Sequence, residues 1–349
     1  MRVVVRAVFL CMLSSGLFVE AQILQPTVPL PLAEQPQPTQ LPASALFGSP
    51  QCDSGGAVYL RYANPASGSN LSTVARIEAD GSTRTITLSP AAENKAESHT
   101  LIFAADRGGA LHQIVRASAD DDAGQLSDTT HVEYVRFDSD GDLRSNSVFS
   151  DEFIPSSFLP LPSGNFFATG IDLEASGDGV AEALVSGIFG PDARLERRLR
   201  TDRSLQTAGA RSATASNDDD DSAGAQTARL GDDGNIYMLL TTDHATVDVV
   251  NQSGMIIRKL KLQEPFETGV ASDMWVSGNR LLLVYEGEAD DPKDSYVYVL
   301  YDAQSGEIIR AYKPQFLGTL ACFQDGQTLS VLVHDASTGA VEIGTAELQ

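Results

Sequence analysis

Alternating β-forming and polar residues, interrupted by glycine-bearing turns, run through the chain from residue 51 onward. The clearest copy turns at Asp233-Gly234 and again at Ser253-Gly254. Between these turns, Val247 and Val249 follow the period of two that is typical of a strand with one buried face. Glycine supplies the positive φ that tight hairpins require. The pattern therefore predicts consecutive β-hairpins.

The same arrangement recurs along the chain, and each copy has a glycine in its first turn. These glycines are Gly56, Gly109, Gly164, Gly234, Gly278 and Gly326. Once the polar stretch 201–226 is set aside, the copies repeat about every 50 residues, a length typical of propeller blades. The sequence therefore predicts an all-β fold, a six-bladed β-propeller of about four strands per blade over residues 46–349. A pair of packed β-sheets is the alternative.

Two stretches of the fourth copy resemble the six-bladed propellers of the NHL and TolB-like group. Asp233-Gly-Asn-Ile-Tyr237 is similar to the strand that opens such a repeat, and Val247 to Gly254 is similar to the hairpin that follows. The resemblance covers residues 46–349 at the level of pattern and implies a six-bladed ring. Propeller lactonases use a carboxylate-lined metal site in the central channel, so a metal-dependent hydrolase or lactonase is an alternative function.

Residues 1–21 have the layout of a secretory signal peptide. Arg2 and Arg6 precede the apolar stretch from Ala7 to Val19, and a cut is expected before Gln22. The apolar stretch is shorter than the ~20 residues that span a bilayer. We therefore expect a secreted or periplasmic protein that does not insert into a membrane.

A proline-rich segment, residues 22–45, separates the signal peptide from the repeats. Proline favours extended backbone and is confined to edge strands in sheets. The last repeat shows three strands where the others show four. The stretch from Ile23 to Leu30 is a candidate for the missing outer strand, and a stiff spacer is the alternative.

Cys52 and Cys322 are the cysteines that remain after the signal peptide. They occupy equivalent positions near the first turns of repeats one and six, which are neighbours only in a closed ring. Export to an oxidising compartment would favour a disulfide between them. Two buried thiols are the alternative.

The chain has 47 Asp and Glu against 24 Lys and Arg, a net charge of −23. This balance excludes nucleic acid as an expected partner, because phosphate binding needs basic residues. Several acidic residues fall in insertions that a propeller would place on one face, where they would attract a basic protein or cationic ligand; a solvated surface is the alternative. These residues are Asp120, Asp121, Asp122, Asp218, Asp219, Asp220, Asp221, Glu288, Asp290 and Asp291.

One segment offers carboxylates at alternate positions, as calcium loops do: Asp138, Asp140 and Asp142. An ordinary hairpin turn is the alternative, because the segment has the same register as other turns. Apart from calcium at this segment, we expect no cofactor. The histidines have no zinc-binding spacing, and the chain has no nucleophile elbow or phosphate loop. Trp275 is expected to pack in the core.

The sequence thus favours an exported, non-catalytic β-propeller, a monomer that serves as a binding or interaction scaffold with an acidic loop face. The alternatives are the metal-dependent hydrolase or lactonase and a structural component of an envelope or matrix. The specific activity and the ligand do not follow from the pattern.

Overall fold

The computed structural model describes residues 26–39, 41, 46–63, 73–88, 98–120, 126–150, 153–176, 179–199, 227–241, 245–265, 270–286, 296–334 and 340–349. These residues form strands and turns without a helix, and the strands pair into six sheets. None of them forms a helix long and apolar enough to cross a membrane.

The sheets follow one another along the chain as six blades, with strands A to D counted from the axis outward. Blade one consists of β3 (Leu46–Phe47) and β4 (Gln51–Cys52), which share position A, followed by β5 (Val58–Ala63), β6 (Thr73–Ile77) and β7 (Thr83–Thr87). Blade two consists of β8 (Ser98–Ala105), β9 (Leu111–Asp120), β10 (Leu126–Phe137) and β11 (Leu143–Val148). Blade three consists of β12 (Phe153–Pro160), β13 (Phe166–Ser176), β14 (Gly179–Phe189) and β15 (Leu195–Arg198).

The second half repeats this order. Blade four consists of β16 (Thr227–Leu230), β17 (Ile236–Thr241), β18 (Ala245–Val250) and β19 (Ile256–Lys261). Blade five consists of β20 (Val270–Ser277), β21 (Arg280–Glu286), β22 (Tyr296–Asp302) and β23 (Ile308–Pro314). Blade six contributes β24 (Gly318–Gln324), β25 (Thr328–His334) and β26 (Val341–Glu347). The six-bladed β-propeller predicted from the sequence is confirmed.

The core lies between blades, in six apolar clusters that each join two neighbouring sheets. Strand β21 shows how the sequence encodes this. Leu281 and Leu283 face blade four, whereas Leu282 and Val284 face blade six. Because successive residues of a strand point to opposite sides, a middle strand buried on both sides must be continuously apolar. One cluster joins blade six to blade one and closes the ring.

Two N-terminal strands complete the outer edge of the ring. Strand β2 (Gln37–Pro38) pairs with β26 and is the fourth strand of blade six. Strand β1 (Thr27–Leu30) lies parallel to β23, as a fifth strand of blade five. The placement that we expected for residues 23–30 is therefore wrong for its described part. Leu30 is 1% exposed and packs in the cluster between blades five and six, which fixes β1 there.

All six first-turn glycines have positive φ, as the turn pattern predicts. Aspartates complete several of these turns. In blade one, Asp53 Oδ1 accepts the backbone N–H groups of Gly55 and Ala57, and Oδ2 accepts the Tyr59 hydroxyl. Asp106 accepts the equivalent N–H groups of its own turn in blade two. Part of the acidic composition therefore stabilises hairpins, since aspartate readily bonds backbone N–H groups two residues further along.

Candidate functional site: the axial cavity

A cavity of about 900 Å³ lies on the axis of the ring, lined mainly by the innermost strands of all six blades. Its polar lining residues are Ser49, Gln51, Arg61, Ser156, Ser157, Thr227, Arg229, Ser272, Asp273, Thr319 and His334. Its aromatic lining residues are Phe103, Phe158 and Trp275. A cavity of this size, with mixed apolar and polar walls, has the dimensions of a small-molecule site.

Irregularities in the innermost strands bring consecutive polar residues to the cavity. The register of β12 shifts between Pro155 and Ser157, and that of β20 shifts between Ala271 and Asp273. A bulge breaks the alternation of side chains and can redirect them. Ser156 and Ser157 therefore both line the cavity, as do Ser272 and Asp273.

An ion pair joins blades four and five inside the cavity. Arg229 Nη2 donates to both carboxylate oxygens of Asp273, at 2.9 and 3.2 Å, and Arg229 Nε donates to the Met274 carbonyl at 3.0 Å. The guanidinium carbon lies 5.1 Å from the centroid of the Trp275 ring. These contacts hold Arg229 in one place.

Burial raises the pKa of Asp273, and the attraction of Arg229 and a hydrogen bond from the Met274 N–H oppose this only in part. The fold thus keeps a carboxylate where desolvation disfavours its charge. Such groups concentrate at functional sites.

The second arginine of the cavity, Arg61 on β5, has a different environment. Its Nη1 donates to the Thr100 carbonyl at 3.5 Å, the limit of a hydrogen bond. Burial lowers the pKa of Arg61, although an arginine remains charged near neutral pH. Asp273 is the sole carboxylate among the described lining residues, and Arg229 already holds it.

The face that carries the A–B turns is tied together near the axis. Arg107 of blade two donates from Nη2 to the Leu230 carbonyl at 3.1 Å and pairs with Asp232 at 3.0 Å, both in blade four. These blades are not neighbours, so the Arg107 side chain spans the axial channel at this face. Asp232 in turn accepts the Gly278 N–H of blade five at 2.7 Å.

Most of the acidic residues predicted to form a binding face lie outside the described part of the chain. Asp120 ends strand β9. Asp121, Asp122, Asp218, Asp219, Asp220, Asp221, Glu288, Asp290 and Asp291 fall in ranges that the structure does not describe. The acidic loop face therefore stays a prediction, as does the signal peptide, whose residues are also outside the described part.

The predicted calcium segment forms a C–D hairpin turn in blade two. Asp138 Oδ1 accepts the N–H groups of Asp140 and Asp142, both at 3.0 Å, and Oδ2 pairs with Arg144. Asp140 pairs with Arg84 of blade one. Within the described ranges, no group of three or more His, Cys, Asp or Glu residues could hold a metal ion.

Cys52 and Cys322 approach each other where blade six meets blade one. Both are free thiols in this structure. A hydrogen bond from the Cys322 thiol lowers the pKa of Cys52, and the pKa of Cys322 is correspondingly raised. The disulfide stays a prediction.

Trp275 packs against the core cluster between blades five and six, as predicted, but it is only partly buried and it also lines the cavity. No residue of the axial cavity was predicted as part of a site from the sequence. The available signal was the concentration of Ser, Thr and Asp in the innermost strands, which is unusual for strands at the centre of a fold.

No protein-family model matches the chain, and no curated protein matches it either. Solved structures show the class of fold. A Bacteroides fragilis protein that is named only for its expected export has 11% identity and a TM-score of 0.50, over 94% of this chain and 98% of that one. A Dyadobacter fermentans protein of unknown function has 9% identity and a TM-score of 0.49, over 92% and 99%.

An arabinanase of Penicillium chrysogenum, solved with arabinobiose, has 9% identity and a TM-score of 0.45, over 93% of this chain and 99% of that one. At these identities the similarities concern the fold alone. The chain is a six-bladed β-propeller, and its activity must be inferred from its own residues.

Proposed function

We propose that this protein is an exported, non-catalytic β-propeller that binds a small molecule in its axial cavity. The observation that carries the proposal is the cavity itself, about 900 Å³ in volume and lined by polar and aromatic residues of the innermost strands. The export component rests on the N-terminal sequence.

The lining favours recognition because its charged groups are fixed in advance. Arg229 is held by Asp273, by the Met274 carbonyl and by the face of Trp275. A site whose side chains are already ordered loses less conformational entropy when a ligand binds. Asp273, the carboxylate among the described lining residues, is paired with Arg229. This arrangement is suited to holding a ligand.

Trp275 supplies a direct assay, because it is the single tryptophan of the chain and it lines the cavity. We would titrate the purified protein with a panel of neutral sugars, sugar acids and amino acids while following tryptophan fluorescence. Thermal unfolding would be measured in parallel, since a ligand that binds only the folded state raises its stability.

The matched variants place the same bulky side chain inside and outside the cavity. Thr319→Phe fills the cavity, whereas Thr85→Phe changes an exposed position on the outer strand of blade one. We expect a saturable fluorescence change in the wild type and in Thr85→Phe, and its loss in Thr319→Phe. Absence of any response across the panel, or equal binding by the two variants, would contradict the proposal.

A further inference from the structure

We infer that the ligand of the axial cavity is a sugar acid, a hydroxylated molecule whose carboxylate is held by Arg61. This inference rests on the proposed function and gives that site its chemical class. It follows from the unequal environments of the two cavity arginines and from the hydroxyl groups around them.

Arg229 already has a counter-charge and fixed partners within the cavity. Its Nη2 and Nε make hydrogen bonds to Asp273 and to the Met274 carbonyl, and its flat face lies against Trp275. Its charge is balanced by Asp273 at 2.9 Å.

Arg61 retains both N–H donors and charge for a ligand carboxylate. Its hydrogen bond to the Thr100 carbonyl, at 3.5 Å, uses one of five N–H donors. Among the described lining residues Asp273 is the one carboxylate, and it pairs with Arg229 rather than with Arg61. A partly buried charge without a partner is costly, and a guanidinium matches a carboxylate with two parallel hydrogen bonds. A ligand carboxylate would therefore provide the missing counter-charge.

The rest of the lining fits the hydroxylated part of such a molecule. Five hydroxyl side chains from blades three, four, five and six line the cavity: Ser156, Ser157, Thr227, Ser272 and Thr319. Each hydroxyl oxygen can accept a hydrogen bond from a sugar hydroxyl group. Ser156 and Ser272 already donate to the carbonyls of Thr169 and Val284, at 3.2 and 3.3 Å, so these two would act as acceptors. The rings of Phe158 and Trp275 provide apolar surface for the C–H faces of a sugar ring.

The test compares two sugars that differ only at the group in question. Glucuronate carries a carboxylate where glucose carries a hydroxymethyl group, and galacturonate and galactose form a second pair. Binding to the full chain is followed by Trp275 fluorescence. We expect one of the two acids to bind about tenfold or more tightly than its neutral partner, because charge-assisted hydrogen bonds are the strong ones.

Arg61→Gln should remove this preference, so that the variant binds an acid and its neutral partner equally well. Arg194→Gln is the control, since it removes the same charge from a side chain that is 86% exposed in a hairpin of blade three. Arg61→Lys keeps the charge without the planar fork and should show an intermediate preference.

Equal binding of acid and neutral sugar by the wild type would overturn the inference, even if Arg61→Gln does not fold, and would leave the proposed function standing. An acid preference that survives in Arg61→Gln would also overturn it. Failure of both acids and both sugars to bind, while another panel compound gives a cavity-dependent response, would overturn the ligand class alone. Failure of the whole panel would remove the proposed function with it.

Discussion

Arg107 and Asp232 form an ion pair of 3.0 Å between blades two and four, which blade three separates in the ring. The pair crosses the axis at the face that carries the A–B turns, opposite the ends of β5 and β25 that line the cavity. It therefore braces the innermost strands around the site.

Removing this brace should weaken the fold moderately. Arg107→Ala is expected to lower the free energy of unfolding by about 1 kcal/mol, because the pair is partly exposed and the Leu230 carbonyl also loses its donor. Urea denaturation measures the change. Arg194→Ala, which removes an exposed arginine from a 3.7 Å pair, should have little effect; equal losses in both variants would contradict the bracing role.

The N-terminal strand β1 should belong to the cooperative unit. Leu30 is 1% exposed and packs with Tyr312 and Phe316, so Leu30→Ala should cost about 2–5 kcal/mol in unfolding free energy. Leu317→Ala changes a leucine that is 46% exposed and should cost far less. Similar small losses in both would show that β1 detaches without consequence for the ring.

Alanine substitution at two first-turn glycines should distinguish the cost of backbone strain from the cost of steric crowding. Gly109 and Gly164 both have positive φ, at 81° and 87°. An added Cβ at Gly109 would lie 2.6 Å from the Tyr59 hydroxyl, whereas at Gly164 it would meet nothing within 4 Å. We expect Gly164→Ala to cost about 1 kcal/mol from the backbone alone and Gly109→Ala to cost roughly 2 kcal/mol or more.

Chemical denaturation of both variants measures the difference. Equal costs would mean that the Tyr59 hydroxyl moves aside freely, despite its hydrogen bond to Asp53 at 3.1 Å.

Oxidation should join Cys52 to Cys322 within one chain. The thiols already interact, and hydrogen bonding lowers the pKa of Cys52, which favours the reactive thiolate. The bridge would close a loop of most of the chain and contribute up to about 5 kcal/mol in the chain-entropy model. Intact mass before and after reduction should differ by two hydrogens, and the melting temperature should fall on reduction.

Cys52→Ser should abolish both differences. A bridge between two chains instead, or no bridge in the oxidised wild type, would contradict this prediction.

Buried His112 should make stability depend on pH. Its Nδ1 lies 2.9 Å from the Tyr134 hydroxyl and its Nε2 lies 3.4 Å from Asp106 Oδ2, contacts that suit the neutral ring. Burial lowers the pKa of His112 below 6.5, and Asp106 opposes this only in part. The unfolded chain therefore takes up a proton before the folded chain does. Stability from the neutral ring is complete above pH 6.5 and is lost as pH falls toward the lowered pKa.

His112→Gln tests this in urea denaturation between about pH 5 and 8, around the ordinary histidine pKa. The stability difference between wild type and variant should be largest near pH 8 and shrink toward pH 5. A constant difference, or one that grows on acidification, would contradict a depressed pKa for His112.

The order and number of the blades could be predicted from the sequence, because each hairpin forms from residues close together in the chain. A glycine with positive φ, an aspartate that bonds the turn N–H groups and alternating β-formers act within a few residues. The outer hairpin of blade three turns at Gly190-Pro191 in the same local way, with Ala193 in the position of positive φ, at 61°.

The polar residues that meet at the axis could not be predicted in this way. Arg61, Arg229 and Asp273 lie in three different blades and resemble ordinary strand residues in the sequence; closure of the ring brings them to one axis. Strand β1 likewise lies on blade five rather than on blade six, because Leu30 packs in the apolar cluster between these two blades. Packing between blades depends on residues hundreds of positions apart, and no local pattern records it.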